Sequence, residues 1–441
     1  MYIEMDFRKL GLLTLFILLK AQSIFLLVAS QVQKIKRIRR WWVRPINRRK
    51  RQGFLCNIFN EMLLTDHEEF FSYVRLWPEQ FNHLLQLITP YLRKHSIRKS
   101  LSVKARLAIT LSYLAQGDTA HDKHLEFRIG KSTVHKIIPE VCNAIWLALQ
   151  PIVLPKLNAE NWKRISEDFF VKWQFPNCIG ALDGRHIEIQ APPCSGSEFY
   201  NYKGYFSIVL MAMCDANHKF TWVDIGQFGS ISDGGIWSQT DLAADLETNR
   251  ANLPEPTPLP KRDVPFPYIA VADEAFPLKP YLMRPFPRRA DKMTNKQLVF
   301  NYRLARARLC IENTFGIFCS RWRILQRRMS CSVKTAEIIC KALVCLHNFA
   351  MSANNSENRY CQPDWCDIED EQGRIIEGQW RTVGAGQFFK QISRVGANRA
   401  GAFSIGLRNY LSDYFMSPIG NAQAPWQLQR ALKGSNINLP A

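Results

Sequence analysis

The stretch Cys178–Pro193, CIGALDGRHIEIQAPP, carries the first decision about this chain. Cys178–Leu182 is an unbroken apolar run of strand length that ends at Asp183-Gly184. Ile187–Ile189 then alternates in polarity, and Ala191-Pro192-Pro193 breaks the pattern. An apolar run bounded in this way suits a strand buried on both faces. Asp-Gly is also a favoured hairpin dipeptide, so a strand-end carboxylate and a plain turn are both open readings of Asp183.

Downstream, Phe206–Cys214 (FSIVLMAMC) and Phe220–Ile225 read as two more strands, joined by a turn at Asp215-Ala216-Asn217. Together these make an antiparallel meander. Ser232-Asp233-Gly234 leads into a helix over residues 235–247, and the proline-rich loop Leu253–Pro267 follows. Tyr268–Ala272 is a short buried strand ending at Asp273. Thr294 caps a long helix, 295–318, that carries Arg308 and, one turn later, Glu312. Residues 334–351 form another amphipathic helix.

Three strands, a helix, a further strand and a helix-borne carboxylate is the element order of an RNase H-like fold. In that order the ends of two adjacent central strands set Asp183 beside Asp273, and the helix adds Glu312. Hard oxygen ligands suit Mg²⁺ or Mn²⁺. Clustered carboxylates repel one another unless cations, here two, neutralise them. Blander readings compete: Glu274 in place of Asp273, Glu312 as a mere partner of Arg308, and Asp215, Asp224 and Asp233 as rival carboxylates. Asp215 and Asp233 look like turn or cap residues. His186 and Asp233 are accessory candidates. Cys361 and Cys366 lack a second pair for zinc. Twelve cysteines without a CxxC motif fit reduced, intracellular thiols.

Upstream, residues 60–155 read as helical. Trp77-Pro78-Glu79 opens one helix. Val103, Leu107, Leu111 and Leu114 stripe the next, between Ser102 and Gly117. Thr119 and Asp122 make a capping box, Gly130 a turn, and Ser132 or Thr133 caps a third helix. Helix, short helix, turn, helix is a helix-turn-helix pattern, with Lys131, His135 and Lys136 facing a groove or phosphates. Pro139 is expected to start a new helix, Pro139–Leu149, because proline disrupts a helix interior.

The formal net charge is +20, and it is concentrated. Residues 31–51 hold ten Lys or Arg and no acid, including Arg39, Arg40, Arg48 and Arg49. Residues 284–328 hold twelve basic residues and two acids, including Arg303, Arg306, Arg308 and Arg321. Two focused basic segments suit a DNA backbone, and the Arg48–Arg51 cluster suits nuclear import. Residues 10–30 are apolar, but Lys20 near the middle costs a membrane span roughly 3 kcal/mol and argues against insertion.

At these residues the sequence resembles the PIF/Harbinger transposase superfamily and the Harbinger transposase-derived nucleases. The resemblance runs through Cys178–Pro193, Phe199–Val223 (FYNYKGYFSIVLMAMCDANHKFTWV), Gly229–Ser238 (GSISDGGIWS), Val271–Pro287 (VADEAFPLKPYLMRPFP) and Asn301–Leu325 (NYRLARARLCIENTFGIFCSRWRIL). Trp42–Arg48 (WVRPINR) and Gly130–Pro139 (GKSTVHKIIP) match as well, whereas Ala120–Leu125 (AHDKHL) departs from the polar residues usual there. The first 30 residues have no counterpart. The resemblance implies an RNase H-like fold, a divalent metal, and a catalytic triad at Asp183, Asp273 and Glu312. It also implies a separate Myb/SANT-like partner protein.

The expectation is therefore a mixed α+β chain. An apolar segment (1–30) and a basic arm (31–59) precede a helix-turn-helix-like domain (60–155). An RNase H-like nuclease domain (170–351), a mobile linker (352–401) and a C-terminal helix and tail (402–441) follow. The expected function is metal-dependent cleavage or strand transfer on double-stranded DNA in the nucleus, after import from the cytoplasm, as a homo-oligomer or with a partner. The alternative is a catalytically silent DNA-binding or chromatin-interaction protein.

Overall fold

The structure, a computed structural model, describes residues 7–32, 41, 43–94, 100–287, 293–352, 360–370, 373–382 and 400–432. The chain divides into two units, Met1–Lys50 and Arg51–Ala441.

In the first unit, α1 (Phe7–Val32) is a single helix. Its segment Gly11–Val28 is long and apolar enough to cross a membrane by length and composition, and none of it is buried. Further on, Arg48 and Arg49 are exposed, and the Arg48 guanidinium lies 5.7 Å from the Trp41 ring centroid. Arg39 and Arg40 lie outside the described residues.

The second unit is built on a five-stranded mixed sheet. Its strands are β1 (Cys178–Glu188), β2 (Ser207–Cys214), β3 (Phe220–Phe228), β4 (Ile269–Val271) and β5 (Leu282–Met283), in the order β3-β2-β1-β4-β5. The first three pair antiparallel, as the meander pattern predicts. β4 pairs parallel to β1, and β5 parallel to β4. Every residue of β2 is buried, so this strand reads as a continuous apolar run. β1 does not stop at Asp183: it runs straight through Asp183-Gly184, with Asp183 opposite Ala212 and Gly184 opposite Met211. The hairpin reading is thereby overturned, because β2 supplies partners from Ala181 to Glu188.

Helices α2 (Pro78–Leu92), α3 (Val103–Gln116), α4 (Ala120–Glu126) and α5 (Lys131–Val153) precede the sheet. The caps of α3 and α4 are those read from the sequence, whereas α5 starts at Lys131 with Gly130 at its N-cap, ahead of the expected Ser132 or Thr133. Ser102 accepts from Ala105 N–H, Thr119 and Asp122 form a capping box, and Gly117 closes α3 in the left-handed region at φ 70°. Pro139 is a correction: it sits inside the continuous helix α5. The amide it lacks would have bonded the carbonyl of His135, which is exposed, so water can serve that carbonyl. Packing against α2, α3 and α9 (Val333–Met351) holds the helix together. Lys131, His135 and Lys136 are exposed on its first turns. In the atypical AHDKHL stretch two of the polar residues, Lys123 and His124, turn inward, while His121 and Asp122 are exposed. Lys123 is 1% exposed and pairs with Asp118 at 2.9 Å and Glu126 at 2.7 Å.

Helices α6 (Ala159–Trp173), α7 (Asp233–Trp237) and α8 (Asn295–Arg321) complete the frame of the site. A capping box between Thr294 and Gln297 starts α8. Phe315 and Phe318 of that helix pack on Phe220 of β3. The expected linker departs from its reading, because its described parts, 360–370 and 373–382, are packed. Trp380 seats on α8, where a Cβ on Gly316 would stand 2.3 Å from its ring. Its indole N–H donates to Asn313 at 2.9 Å. Tyr360, Trp365 and Trp380 supply enough apolar area to outweigh the acidic composition around them. Two C-terminal helices, α10 (Ala402–Met416) and α11 (Pro425–Ala431), also pack against α8.

Candidate active site

The parallel register of β1 and β4 sets Ala181 beside Val271. Two residues further along each chain come Asp183 and Asp273, so the register alone brings these carboxylates to neighbouring positions. Asp183 accepts from its neighbour Gly184 N–H at 3.0 Å, and Asp273 from Ala275 N–H at 2.9 Å. Glu274 is exposed, which removes it as the rival of Asp273.

Glu312 arrives from α8, and Arg308 ties the cluster together. Its Nη2 lies 3.6 Å from Asp183 Oδ2 and its Nη1 3.5 Å from Glu312 Oε1. The guanidinium side chain is 9% exposed. Burial works to lower its pKa, but Asp183, Glu312, Asp273 and Asp233 together outweigh that and raise it.

A fourth carboxylate belongs to the same field. Asp233 stands at the start of α7, where Ser232 accepts from Gly235 N–H. It is 1% exposed, and neither of its carboxylate oxygens has a hydrogen-bond partner. It approaches β1 over Gly184, where a Cβ would lie 2.3 Å from Asp233 Oδ1, so only glycine fits there. Burial, followed by repulsion from Asp183 and Asp273, raises its pKa well above the carboxylate range. Asp273 is pushed up to about 6 by burial and by Asp183. Asp183 is raised by burial, opposed by Arg308 and reinforced by Glu312. All three shifts arise first from burial, and repulsion among the carboxylates adds to it.

That donor set fits a divalent cation. The ligands are hard oxygens, one of them buried and wholly unpartnered, and their raised pKa values mark the missing positive charge. Among the described residues, no three His, Cys, Asp or Glu side chains already converge as a ready-made coordination group. Beside the cluster, Asp273, Tyr302, Arg306, Arg308, Glu312 and Arg381 line a groove of about 510 Å³.

Other candidates take different positions. His186 donates or accepts at Ser207 Oγ (2.9 Å) through Nδ1, and its Nε2 has no partner. An odd spacing from Asp183 sets it on the other face of β1. Burial lowers its pKa to about 4, so it is neutral. Asp215 accepts from the amides of Asn217 and Lys219, the turn role read from the sequence.

The basic residues of α8 differ most from expectation. Arg303 is 0% exposed, stacks on Phe415 at 4.7 Å and donates to Gly420 O. Arg306 forms a buried pair with Glu369 at 3.1 Å. Arg321 lies 3.8 Å over Trp365 and donates to Tyr360 O. With Arg308 bound to carboxylates, these guanidinia serve the interior, and none is a free surface charge awaiting phosphate. The concentration of basic residues over 284–328 does not reveal that residues of 360–370 and 400–432 cover them.

Residues 182–348 match the family described as DDE superfamily endonuclease. All four carboxylates fall within that span, so the site lies in the segment that is similar to this superfamily. Its relatives are the Harbinger-derived group, at modest identity. An ALP1-like protein of Arabidopsis thaliana is 25% identical over 297 residues, 65% of this chain and 68% of that protein. HARBI1 of Homo sapiens, a nuclease by name only, is 21% identical over 289 residues, 64% of this chain and 78% of that protein. The Arabidopsis protein named antagonist of like heterochromatin protein 1 is 25% identical over 237 residues, 52% and 57% of the two chains. No solved structure matches the chain.

Proposed function

We propose that this chain is a transposase-derived, divalent-metal-dependent DNA endonuclease with an RNase H-like core, in which Asp183, Asp273 and Glu312 hold the metal. The observation that supports this reading is the pairing of Asp183 and Glu312 with the guanidinium of Arg308, with Asp273 set beside Asp183 by the parallel register of β1 and β4. Divalent ions bound there supply an attacking water of lowered pKa and charge for the leaving oxygen. The chain's own part is to present oxygen ligands from rigid elements, exclude water at Asp233 and hold the duplex along the groove. If a freed 3′-hydroxyl replaces water, the same site joins strands. Lys131 and Lys136 on α5, with Arg48, Arg49 and the basic arm, are the proposed phosphate contacts. The proposed setting is the nucleus, with a Myb/SANT-like partner or a second copy of the chain.

Purified full-length protein, Mg²⁺ or Mn²⁺ and supercoiled plasmid or terminal-repeat DNA test the proposal. Metal-dependent nicking is expected, and Asp183→Asn should abolish it. Nicking that persists in Asp183→Asn removes the triad assignment. A second reading, a catalytically silent DNA- or chromatin-binding protein, draws support from Arg308, which already partners two of the three carboxylates. It predicts salt-sensitive DNA binding that needs no metal and survives Asp273→Ala.

A further inference from the structure

Two pairs of cysteines stand with their sulfurs 3.7 Å apart, Cys214 with Cys310 and Cys361 with Cys366. All four are free thiols, but their surroundings differ. Cys214 and Cys310 are 0% exposed, and the Cys310 thiol donates to Asp215 O at 2.8 Å. Burial, joined by Cys214, pushes the Cys310 pKa well above the usual thiol range. That pair is shut away and protonated.

Cys361 and Cys366 are half-buried. They flank the short 3-10 turn Pro363–Trp365, in which Pro363 and Asp364 are exposed and free to adjust. Cys366 also lines a cavity of about 410 Å³, roomy enough to admit a small oxidant. A disulfide holds its sulfurs about 2 Å apart, so an approach of under about 2 Å through this turn forms the bond. The charged groups acting on Cys361 are Arg321 and Asp364, and those acting on Cys366 are Asp367 and Lys172. A hydrogen bond from the Cys366 thiol, helped by Arg321, holds the Cys361 pKa below the usual thiol value despite burial and Asp364. The thiolate so favoured is the form that attacks an oxidant.

We propose that Cys361 and Cys366 form a reversible disulfide when the protein meets a hydroperoxide, tying together the two ends of the turn that holds Trp365 against Arg321. The Cys361 thiolate attacks a peroxide oxygen, the O–O bond breaks, and a sulfenic acid and water result. Cys366 then attacks that sulfur, the S–O bond breaks and a second water leaves. The two thiols lose two electrons and two protons, and the peroxide takes up both. Arg321 lies 3.8 Å from the Trp365 ring at the C-terminal end of α8, so the bond fastens this cover onto the helix that carries Glu312. The inference does not depend on the proposed function.

The test treats the full chain with hydrogen peroxide, alkylates the remaining thiols in denaturant and weighs the tryptic peptides. Peptide 360–374 contains both cysteines and no other. It should escape alkylation at both, with the loss of two hydrogens, and regain both alkyl groups after dithiothreitol. Cys214 and Cys310 should stay fully alkylated. Cys366→Ser should stop at a Cys361 sulfenic acid, which dimedone traps. Oxidised wild type should melt about 2–4 °C above the reduced protein, a shift that Cys361→Ser should not show. A 360–374 peptide alkylated at both sulfurs after peroxide, or carrying sulfinic acid in place of the disulfide, overturns the site. Sulfenic acid trapped at Cys366 in Cys361→Ser, with none at Cys361 in Cys366→Ser, overturns the order of attack. Equal melting of oxidised and reduced wild type overturns the fastening of the cover.

Discussion

Replacing Asp233 by Asn is expected to stabilise the metal-free protein, an unusual sign for a substitution at a residue 1% exposed. Both oxygens of Asp233 lack hydrogen-bond partners, and Asp183 and Asp273 repel its charge. An unpartnered buried polar group costs about 1–3 kcal/mol, and more when charged. Asn keeps the shape over Gly184 and removes the charge, so a gain of about 1–2 kcal/mol at neutral pH follows, read as a melting temperature a few degrees higher. The pH dependence has a definite sign. A carboxyl whose folded pKa is raised adds stability below its unfolded value and loses it as pH rises through the folded one. With Asp273 pushed up to about 6, metal-free wild type should lose stability as pH rises from about 4 through 6, and Asp233→Asn should lose less. With divalent metal the comparison inverts. At a free concentration one hundred times Kd, wild type gains about 2.7 kcal/mol. A variant binding metal 10–100-fold more weakly gains only about 0.4–1.4 kcal/mol. Differential scanning calorimetry with EDTA and with Mn²⁺, at two pH values, checks both signs. If the variant is less stable than wild type in EDTA, Asp233 has a structural partner. If the two gain equally from Mn²⁺, its carboxylate is remote from any metal.

Three further outcomes follow from the same geometry. Gly184→Ala places a methyl 2.3 Å from Asp233 Oδ1 and should cost about 1–3 kcal/mol by forcing α7 away, with the loss smaller in an Asp233→Ala background; double-mutant melting curves measure the coupling. Arg308→Ala strips the guanidinium that pairs with both Asp183 and Glu312 and should destabilise metal-free protein by about 3–5 kcal/mol, with Mn²⁺ recovering part of it; equal losses with and without metal would mean that the two cations do not share the site. Mn²⁺ affinity, followed by calorimetric titration, should fall as pH drops below about 6, where Asp273 takes up its proton, and Asp273→Asn should flatten that dependence.

Much of the fold was legible because its signals are local. The apolar runs at Cys178–Leu182 and Phe206–Cys214, the Thr294 cap and the Thr119–Asp122 box each set an element by nearest-neighbour chemistry. Asp183, Asp273 and Glu312 were picked from two apparent strand ends and a helix, although β1 runs on through Asp183 to Glu188 and only Asp273 follows the end of its strand. Asp233 read as a helix cap, because its burial depends on a glycine 49 positions earlier, a relation with no periodic signature. The roles of Arg303, Arg306 and Arg321 were hidden for the same reason. Phe415, Glu369 and Trp365, which cover them, lie far along the chain in segments whose composition reads as linker and tail. Pro139 misled in the opposite direction, since a local rule was overridden by packing on three neighbouring helices.

The charge balance at the site bears on how DNA can approach it. Four carboxylates face one guanidinium, and α8 contributes little free positive charge because Arg303, Arg306 and Arg321 are buried. A phosphate backbone therefore meets net repulsion at the cluster when no metal is present, even though the chain as a whole carries +20. The attraction must come from elsewhere, from the basic arm and the exposed lysines of α5, and it acts over only about 10 Å at 0.1 M salt. Binding and cleavage are then separable by ionic conditions. Without divalent metal, DNA binding should show a salt slope set mainly by the arm, and both the affinity and the slope should fall when residues 31–51 lose their charge. Adding Mn²⁺ should tighten binding at fixed ionic strength in wild type and leave Asp183→Asn unchanged, as fluorescence anisotropy would report. Equal tightening in both proteins would place the metal effect on the DNA, outside the carboxylate cluster.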